Sequence, residues 1–135
     1  MTLFATVLSR LGLSQTEAAA FLKVRPDTIK SWGAGRNPVP DGIWADLQRL
    51  AEKQQAAADA ILAAMENSEN TETIEFALPP DAEIARRGWP SRRAFITVLA
   101  RAWEKMPPTV RIRIVPSGST ESVQAAERAR KFSEP

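Results

Sequence analysis

The stretch that decides the fold is SQTEAAAFLKVRPDTIKSWGAGRNPVP, residues 14–40. Ser14 and Glu17 have the spacing of a capping box, in which each side chain bonds the backbone N–H of the other, so a helix is predicted to begin here. Pro26 suits the first turn of a second helix, where its missing N–H costs nothing. Gly33 is a stop signal for that helix. The stretch therefore predicts two short helices joined by a tight turn.

The apolar spacing of this stretch is typical of a helix-turn-helix. With Gln15 counted as the first position, apolar or small residues are expected at positions four, five, eight, ten, fifteen and eighteen. All six positions comply, and they are Ala18, Ala19, Leu22, Val24, Ile29 and Trp32. The two helices are therefore predicted to form a helix-turn-helix.

These residues resemble those of Cro/Xre-type helix-turn-helix regulators of prokaryotes and phages, including the tryptophan and the Gly-Arg-x-Pro ending that many of them share. The resemblance covers roughly residues 3–50. In architecture, the chain is also similar to the anti-CRISPR-associated autorepressors of phages, in which a long helix and a small strand-and-helix dimerisation module follow VPD. The resemblance implies an all-α, lambda-repressor-like domain that binds double-stranded DNA.

The resemblance also implies which side chains contact DNA. At about 100° per residue, Ile29 and Trp32 face the core, so the other side of the helix and its leading end are left for the bases. The residues implied to read bases are Arg25, Pro26, Asp27, Thr28, Lys30 and Ser31. The residues implied to hold the DNA backbone are Gln15, Lys23 and Arg36. Arg25 or Lys30 can donate hydrogen bonds to guanine, and the carboxylate of Asp27 can accept one from cytosine. Asp27 also has a structural explanation, because an acid near a helix N-terminus complements the helix dipole.

Two residues, Arg25 and Lys23, are not the residue types that stabilise the folded single chain at their positions. Arg25 occupies the N-cap position, where Ser, Thr or Asp would bond free N–H groups and where a cation opposes the helix dipole. Its guanidinium therefore either contacts a partner or extends into solvent. Lys23 stands where the family usually has glycine in a left-handed conformation. Either the turn is reshaped, or Lys23 bears a strain of about 1 kcal/mol and gains a phosphate contact.

A long fourth helix is predicted after this stretch, over residues 41–67. Its residues recur at steps of three and four along one seam: Ile43, Leu47, Leu50, Gln54, Ala58, Ile61 and Met65. At 1.5 Å per residue this helix is about 40 Å long, which is more than a four-helix globule needs. The seam is expected to pack either against the C-terminal segment of the same chain or against a second copy.

The C-terminal half predicts a small α+β module at residues 73–116, followed by a polar and flexible tail at 117–135. Two alternating strands, at 73–78 and 110–115, flank an amphipathic helix that Ser91 caps. Two strands and one helix cannot bury both faces of the sheet without a partner, so a second copy of the chain is expected to complete the sheet. The residues predicted at the homodimer interface are Ile74, Phe76, Leu78, Phe95, Leu99, Trp103, Ile112 and Ile114. The helix-turn-helix domain with its connecting helix is then residues 1–67.

The formal charge of +2 is the sum over three segments that differ in net charge. Residues 1–40 carry a net charge of +3, residues 41–85 carry −8 and residues 86–135 carry +7. Basic blocks suit contact with a polyanion. The last block contains a second group of arginines: Arg92, Arg93, Arg101, Arg111 and Arg113. This group is either a solvated face that offsets the acidic middle or an additional nucleic-acid contact, with RNA as a partner for Arg92, Arg93 and Arg101.

The composition excludes several kinds of site. The chain has no cysteine and no histidine, so disulfides, thiolate or imidazole metal sites and Ser-His or Cys-His catalysis cannot form. Carboxylate chemistry remains open, but for so small a chain we expect no metal, no cofactor and no enzymatic activity. Apolar runs fall short of the ~20 residues of a membrane span, and no signal-peptide pattern follows Met1. A cytoplasmic protein without membrane contact is expected.

These features predict a sequence-specific transcriptional regulator of a phage or mobile element. We expect a homodimeric autorepressor that binds an inverted-repeat operator. One alternative is the DNA-recognition subunit of a phage packaging or assembly complex, which would form a ring of many subunits. Another is an antitoxin that represses its own operon and binds a toxin through its tail. Solution mass and co-purification distinguish these three classes.

Overall fold

A computed structural model describes residues 1–66 and 73–116 of the chain. Residues 67–72 and the predicted tail at 117–135 lie outside the described residues. Within the described ranges the chain forms six α-helices and one small two-stranded sheet. In chain order the elements are α1 (Leu3–Leu11), α2 (Gln15–Leu22), α3 (Pro26–Gly33), α4 (Asp41–Glu66), β1 (Thr73–Leu78), α5 (Asp81–Arg86), α6 (Arg92–Trp103) and β2 (Arg111–Pro116). The long helix and both strands are therefore present where the sequence predicts them.

The predicted capping box begins α2. Ser14 Oγ accepts a hydrogen bond from the Glu17 N–H at 3.1 Å, and Glu17 Oε1 accepts one from the Ser14 N–H at 2.9 Å. Pro26 is the first residue of α3, where no N–H is needed. Between the two helices, Lys23 adopts a left-handed conformation with φ 58° and ψ 44°. Of the two alternatives for this turn, the structure has the one in which Lys23 bears the strain.

Three of the first four helices, α1, α3 and α4, share an aromatic cluster. The Phe4 ring meets the rings of Trp32 and Trp44 edge-on, with centroids 5.7 and 6.0 Å away. Aromatic pairs favour this geometry because the positive ring edge meets the negative ring face. Ile29 and Trp32 are both buried, as predicted. These two side chains anchor one side of α3, so its opposite side is left at the surface.

The seam of α4 packs inside the chain, mainly against α6. Its central residues are buried: Leu47, Leu50, Gln54 and Ala58. Of the two partners expected for this seam, the structure therefore has the C-terminal segment of the same chain. Although α4 is 26 residues long, no helix in the described part of the chain is long and apolar enough to cross a membrane.

A single glutamine links three helices in this core. Gln54 is fully buried, and its Nε2 donates to the carbonyl oxygens of Leu11 at 2.9 Å and Ala94 at 3.0 Å. Its Oε1 accepts from Arg101 Nε at 3.3 Å. These bonds satisfy the buried amide, and they tie the end of α1 to the start of α6. The helices of residues 1–66 and the C-terminal segment thus share one continuous core.

The two strands pair in parallel, with Ile74 opposite Ile112 and Phe76 opposite Ile114. Parallel strands need a long crossover connection, and α5 and α6 supply it. Within the described residues the sheet consists of these two strands alone, so no third strand from those residues covers its outer edges.

Candidate nucleic-acid interface

The residues predicted to read bases lie together around the outer side of α3. Four of them are exposed: Arg25, Pro26, Asp27 and Lys30. The other two, Thr28 and Ser31, are partly buried. We call residues 25–28, 30 and 31 the α3 face. It presents a guanidinium, an ammonium, a carboxylate and two hydroxyls, which are the groups that recognise base edges in the major groove.

Arg25 stands at the leading end of the α3 face. It is the N-cap residue of α3, and its side chain makes no capping hydrogen bond. No acid or hydrogen-bond acceptor in the described ranges pairs with its guanidinium. Asp27, in the first turn, is the group that complements the helix dipole here. The folded chain therefore leaves the cation of Arg25 free to meet a partner.

Two residues that sequence reasoning missed hold the far end of α3. Asn37 Nδ2 donates to Ser31 Oγ at 2.6 Å, so the loop after α3 orients one hydroxyl of the α3 face. Thr2 Oγ1 donates to the Gly33 carbonyl at 2.8 Å and accepts from the Ala5 N–H at 3.2 Å. Thr2 therefore caps α1 and ties it to the end of α3. The Asn37–Ser31 and Thr2–Gly33 bonds have no sequence signal, because each joins residues that only the fold brings together, whereas the Thr2–Ala5 bond is a local N-cap.

The three residues predicted to hold the DNA backbone are exposed at the borders of this unit. Gln15 is the first residue of α2, Lys23 lies in the turn between α2 and α3, and Arg36 follows α3. In the chain they lie on both sides of the α3 face, since Gln15 and Lys23 precede it and Arg36 follows it. Contacts to phosphates fix the register and orientation of a protein on the duplex and carry no sequence information.

A comparison with protein families identifies the family of this chain. Residues 2–82 match a family model described as Aca2/YdiL-like. The chain belongs to the Aca2/YdiL-like family. This family is consistent with the architectural similarity to anti-CRISPR-associated autorepressors, and the match includes the whole α3 face. A search of curated proteins found no match.

The second group of arginines in this Aca2/YdiL-like chain has more than one role. Arg92 pairs with Asp81, with 3.0 Å between Nε and Oδ1, and Arg113 pairs with Glu75. Arg101 donates to the side chains of two glutamines of α4, at 3.3 and 3.4 Å. Burial, followed by the charge of nearby Arg10, lowers the pKa of Arg101. Of the three arginines for which RNA is one of the alternatives, only Arg93 has a guanidinium without a partner in the described ranges.

The residues predicted at a dimer interface divide by exposure. Phe95 and Leu99 are 7% and 5% exposed in the single chain, because both pack in its own core. Trp103 is 62% exposed and Ile114 is 45% exposed. The remaining four are partly buried: Ile74, Phe76, Leu78 and Ile112. Of the eight residues predicted at the interface, Trp103 and Ile114 are therefore the two that the single chain leaves most exposed.

The left-handed Lys23 predicts a stabilising substitution. Lys23→Gly should raise the free energy of unfolding by about 0.5–1 kcal/mol, because glycine adopts positive φ without strain. Urea denaturation monitored by circular dichroism measures this change. Lys23→Ala is the matched control, since it removes the same charge and keeps the strain. Equal stability of the two variants would show that residue 23 is not left-handed in solution.

Proposed function

We propose that this chain is a sequence-specific DNA-binding transcriptional regulator, a homodimer that represses transcription from a palindromic operator near its own promoter. In this proposal α2 and α3 form a Cro/Xre-type helix-turn-helix in a lambda-repressor-like domain, and α3 lies in the major groove. Membership of the Aca2/YdiL-like family, a family of regulators, supports DNA binding. The proposed protein is cytoplasmic and has no catalytic activity, no cofactor and no membrane partner.

The strongest support comes from the free guanidinium of Arg25 at the leading end of the α3 face. The N-cap position favours a side chain that accepts hydrogen bonds, whereas the arginine side chain only donates them. Arginine is also the side chain that bonds guanine O6 and N7 in a bidentate manner. The unpaired cation of Arg25 makes no contact that stabilises the isolated chain, but it can bond a base when α3 lies in the major groove.

Homodimerisation follows from the geometry of operators. A single α3 contacts only a few base pairs, so recognition of an operator needs two copies whose α3 helices lie about one DNA turn, ~34 Å, apart. The exposed apolar side chains of Trp103 and Ile114 on the C-terminal segment favour burial against a second copy. A ring of many subunits in solution would contradict the dimer and favour a packaging subunit.

Selection of bound duplexes from a random pool tests the proposed function directly. We expect one inverted repeat to be enriched, with affinity that falls steeply as salt rises from roughly 50 to 200 mM, because phosphate contacts release counterions. Binding to a scrambled duplex of the same length measures the non-specific component. No enrichment together with a flat salt response would contradict DNA binding.

Substitution of Arg25 tests the role of the α3 face. Arg25→Ala should weaken operator binding by about 1–3 kcal/mol and relax the preference at one base pair of each half-site. Binding to a panel of single-base operator variants measures both effects. Arg36→Ala is the matched control, since loss of a phosphate contact should weaken binding to every sequence alike. Unchanged affinity and preference in Arg25→Ala would show that Arg25 reads no base.

A further inference from the structure

The start of α6 is fixed against the turn between α1 and α2. Ser91 Oγ donates to the Gly12 carbonyl at 2.8 Å. A Cβ atom added at Gly12 would lie only 2.6 Å from the backbone carbon of Arg93, so the two backbones are in direct contact. The Gln54 side chain bonds the carbonyls of Leu11 and Ala94 on either side of this contact. The start of α6 is therefore held next to the α1–α2 turn, just before α2 begins.

This packing places Arg93 close to the predicted DNA-contacting residues. Arg93 and Gln15 line the same surface hollow, which has a volume of about 250 Å³ and also includes Ser14 and Gly33. Gln15 is one of the residues implied to hold the DNA backbone. The hollow therefore combines a residue of α2, the end of α3 and a cation supplied by α6.

The charge of Arg93 makes no interaction that stabilises the fold of the described residues. Arg93 is the second residue of α6, a helix with no acid in its first turn, so its cation opposes the helix dipole. Arg92, the preceding residue, stands in the same position relative to the dipole, but Asp81 compensates its charge at 3.0 Å. Arg93 is exposed, and its guanidinium has no acid or acceptor among residues 1–66 and 73–116. Like Arg25, it is an unpaired cation at the start of a helix.

We propose that Arg93 binds a phosphate of the DNA backbone beside the position of Gln15, so that α6 supplies part of the protein–DNA interface. This inference rests on the proposed function and adds a contact from outside the helix-turn-helix. Hydrogen bonds from Ser91 and Gln54 to the α1–α2 turn hold the backbone of Arg93 at a fixed position relative to α3. A cation in a fixed position can meet a fixed phosphate when α3 is in the groove, whereas a phosphate contact carries no base preference.

Two neighbouring arginines allow a matched test. Arg93→Ala and Arg92→Ala remove the same charge from the same helix turn, so the long-range field changes almost equally in both. The probe is a duplex of about 30 bp with the inverted repeat obtained by selection, titrated with the full chain across roughly 50 to 200 mM salt. For Arg93→Ala we expect the slope of log affinity against log salt to shrink by about 0.9 for each bound protomer. For Arg92→Ala we expect the slope of the unsubstituted protein.

Arg93→Lys should retain the slope, since an ammonium also neutralises a phosphate, and the base preference should stay unchanged in all three variants. Thermal melting establishes that each variant is folded. Equal slopes for Arg93→Ala and Arg92→Ala would overturn the proposal. That result leaves the proposed function intact, because the unsubstituted protein would still bind its repeat. Failure of the unsubstituted protein to bind any duplex would remove the proposed function and the contact together.

Discussion

Replacement of Gly12 by alanine is expected to lower the free energy of unfolding by about 3–4 kcal/mol. Two costs add at this position. Gly12 has a φ of 80°, a conformation that strains any residue with a Cβ atom. The added Cβ would also lie 2.6 Å from the backbone oxygen of Arg93 and 2.7 Å from the backbone nitrogen of Ala94. Because both neighbours are backbone atoms, α6 as a whole would have to move away from the α1–α2 turn.

Urea denaturation monitored by circular dichroism measures this loss. Gly42→Ala is the matched control, since Gly42 lies in the first turn of α4 with open space around it. Alanine there should raise the free energy of unfolding by about 0.5–1 kcal/mol through helix propensity. A loss below about 1 kcal/mol in Gly12→Ala would show that α6 is not held against the α1–α2 turn in solution. The same result would remove the structural basis for a DNA contact by Arg93.

Local signals predicted most elements of the fold. The capping box of Ser14 and Glu17 and the position of Pro26 are properties of a few adjacent residues, and such residues fix helix ends through hydrogen bonds within one turn. The apolar spacing also identified Ile29 and Trp32 as core residues, which made the opposite side of α3 predictable. The residues of the α3 face could therefore be named from the sequence together with the family resemblance.

Packing between distant segments was not predictable in the same way. The seam of α4 had two candidate partners, and periodicity alone cannot distinguish α6 of the same chain from a second copy. Gln54 lies on that seam, yet its bonds reach carbonyls 43 and 40 residues away in sequence. The Asn37–Ser31 hydrogen bond, which orients part of the α3 face, also depends on the path of a loop. These features follow from tertiary structure, and no short motif encodes them.

Substitution of Ile114 by aspartate is expected to convert the proposed dimer to a monomer and to weaken operator binding by about 10²-fold or more. Ile114 is 45% exposed on β2, in a sheet that has no third strand within the described residues. A two-stranded sheet with an apolar exposed side chain is marginal in water, so burial of this side against a second copy is favourable. A carboxylate there would be desolvated without a partner in the dimer. Loss of the dimer separates the two α3 helices, and each half-site must then be bound independently.

Light scattering measures the solution mass, and titration of the inverted repeat measures the affinity. Thr109→Asp is the matched control, because it adds the same charge at an exposed position just before β2. The melting temperature of the Ile114→Asp monomer should stay close to that of Thr109→Asp when both are compared at low protein concentration, since neither position is in the core. An Ile114→Asp protein that remains dimeric would place the interface elsewhere, and Trp103→Asp would then test the exposed tryptophan of α6 by the same two measurements.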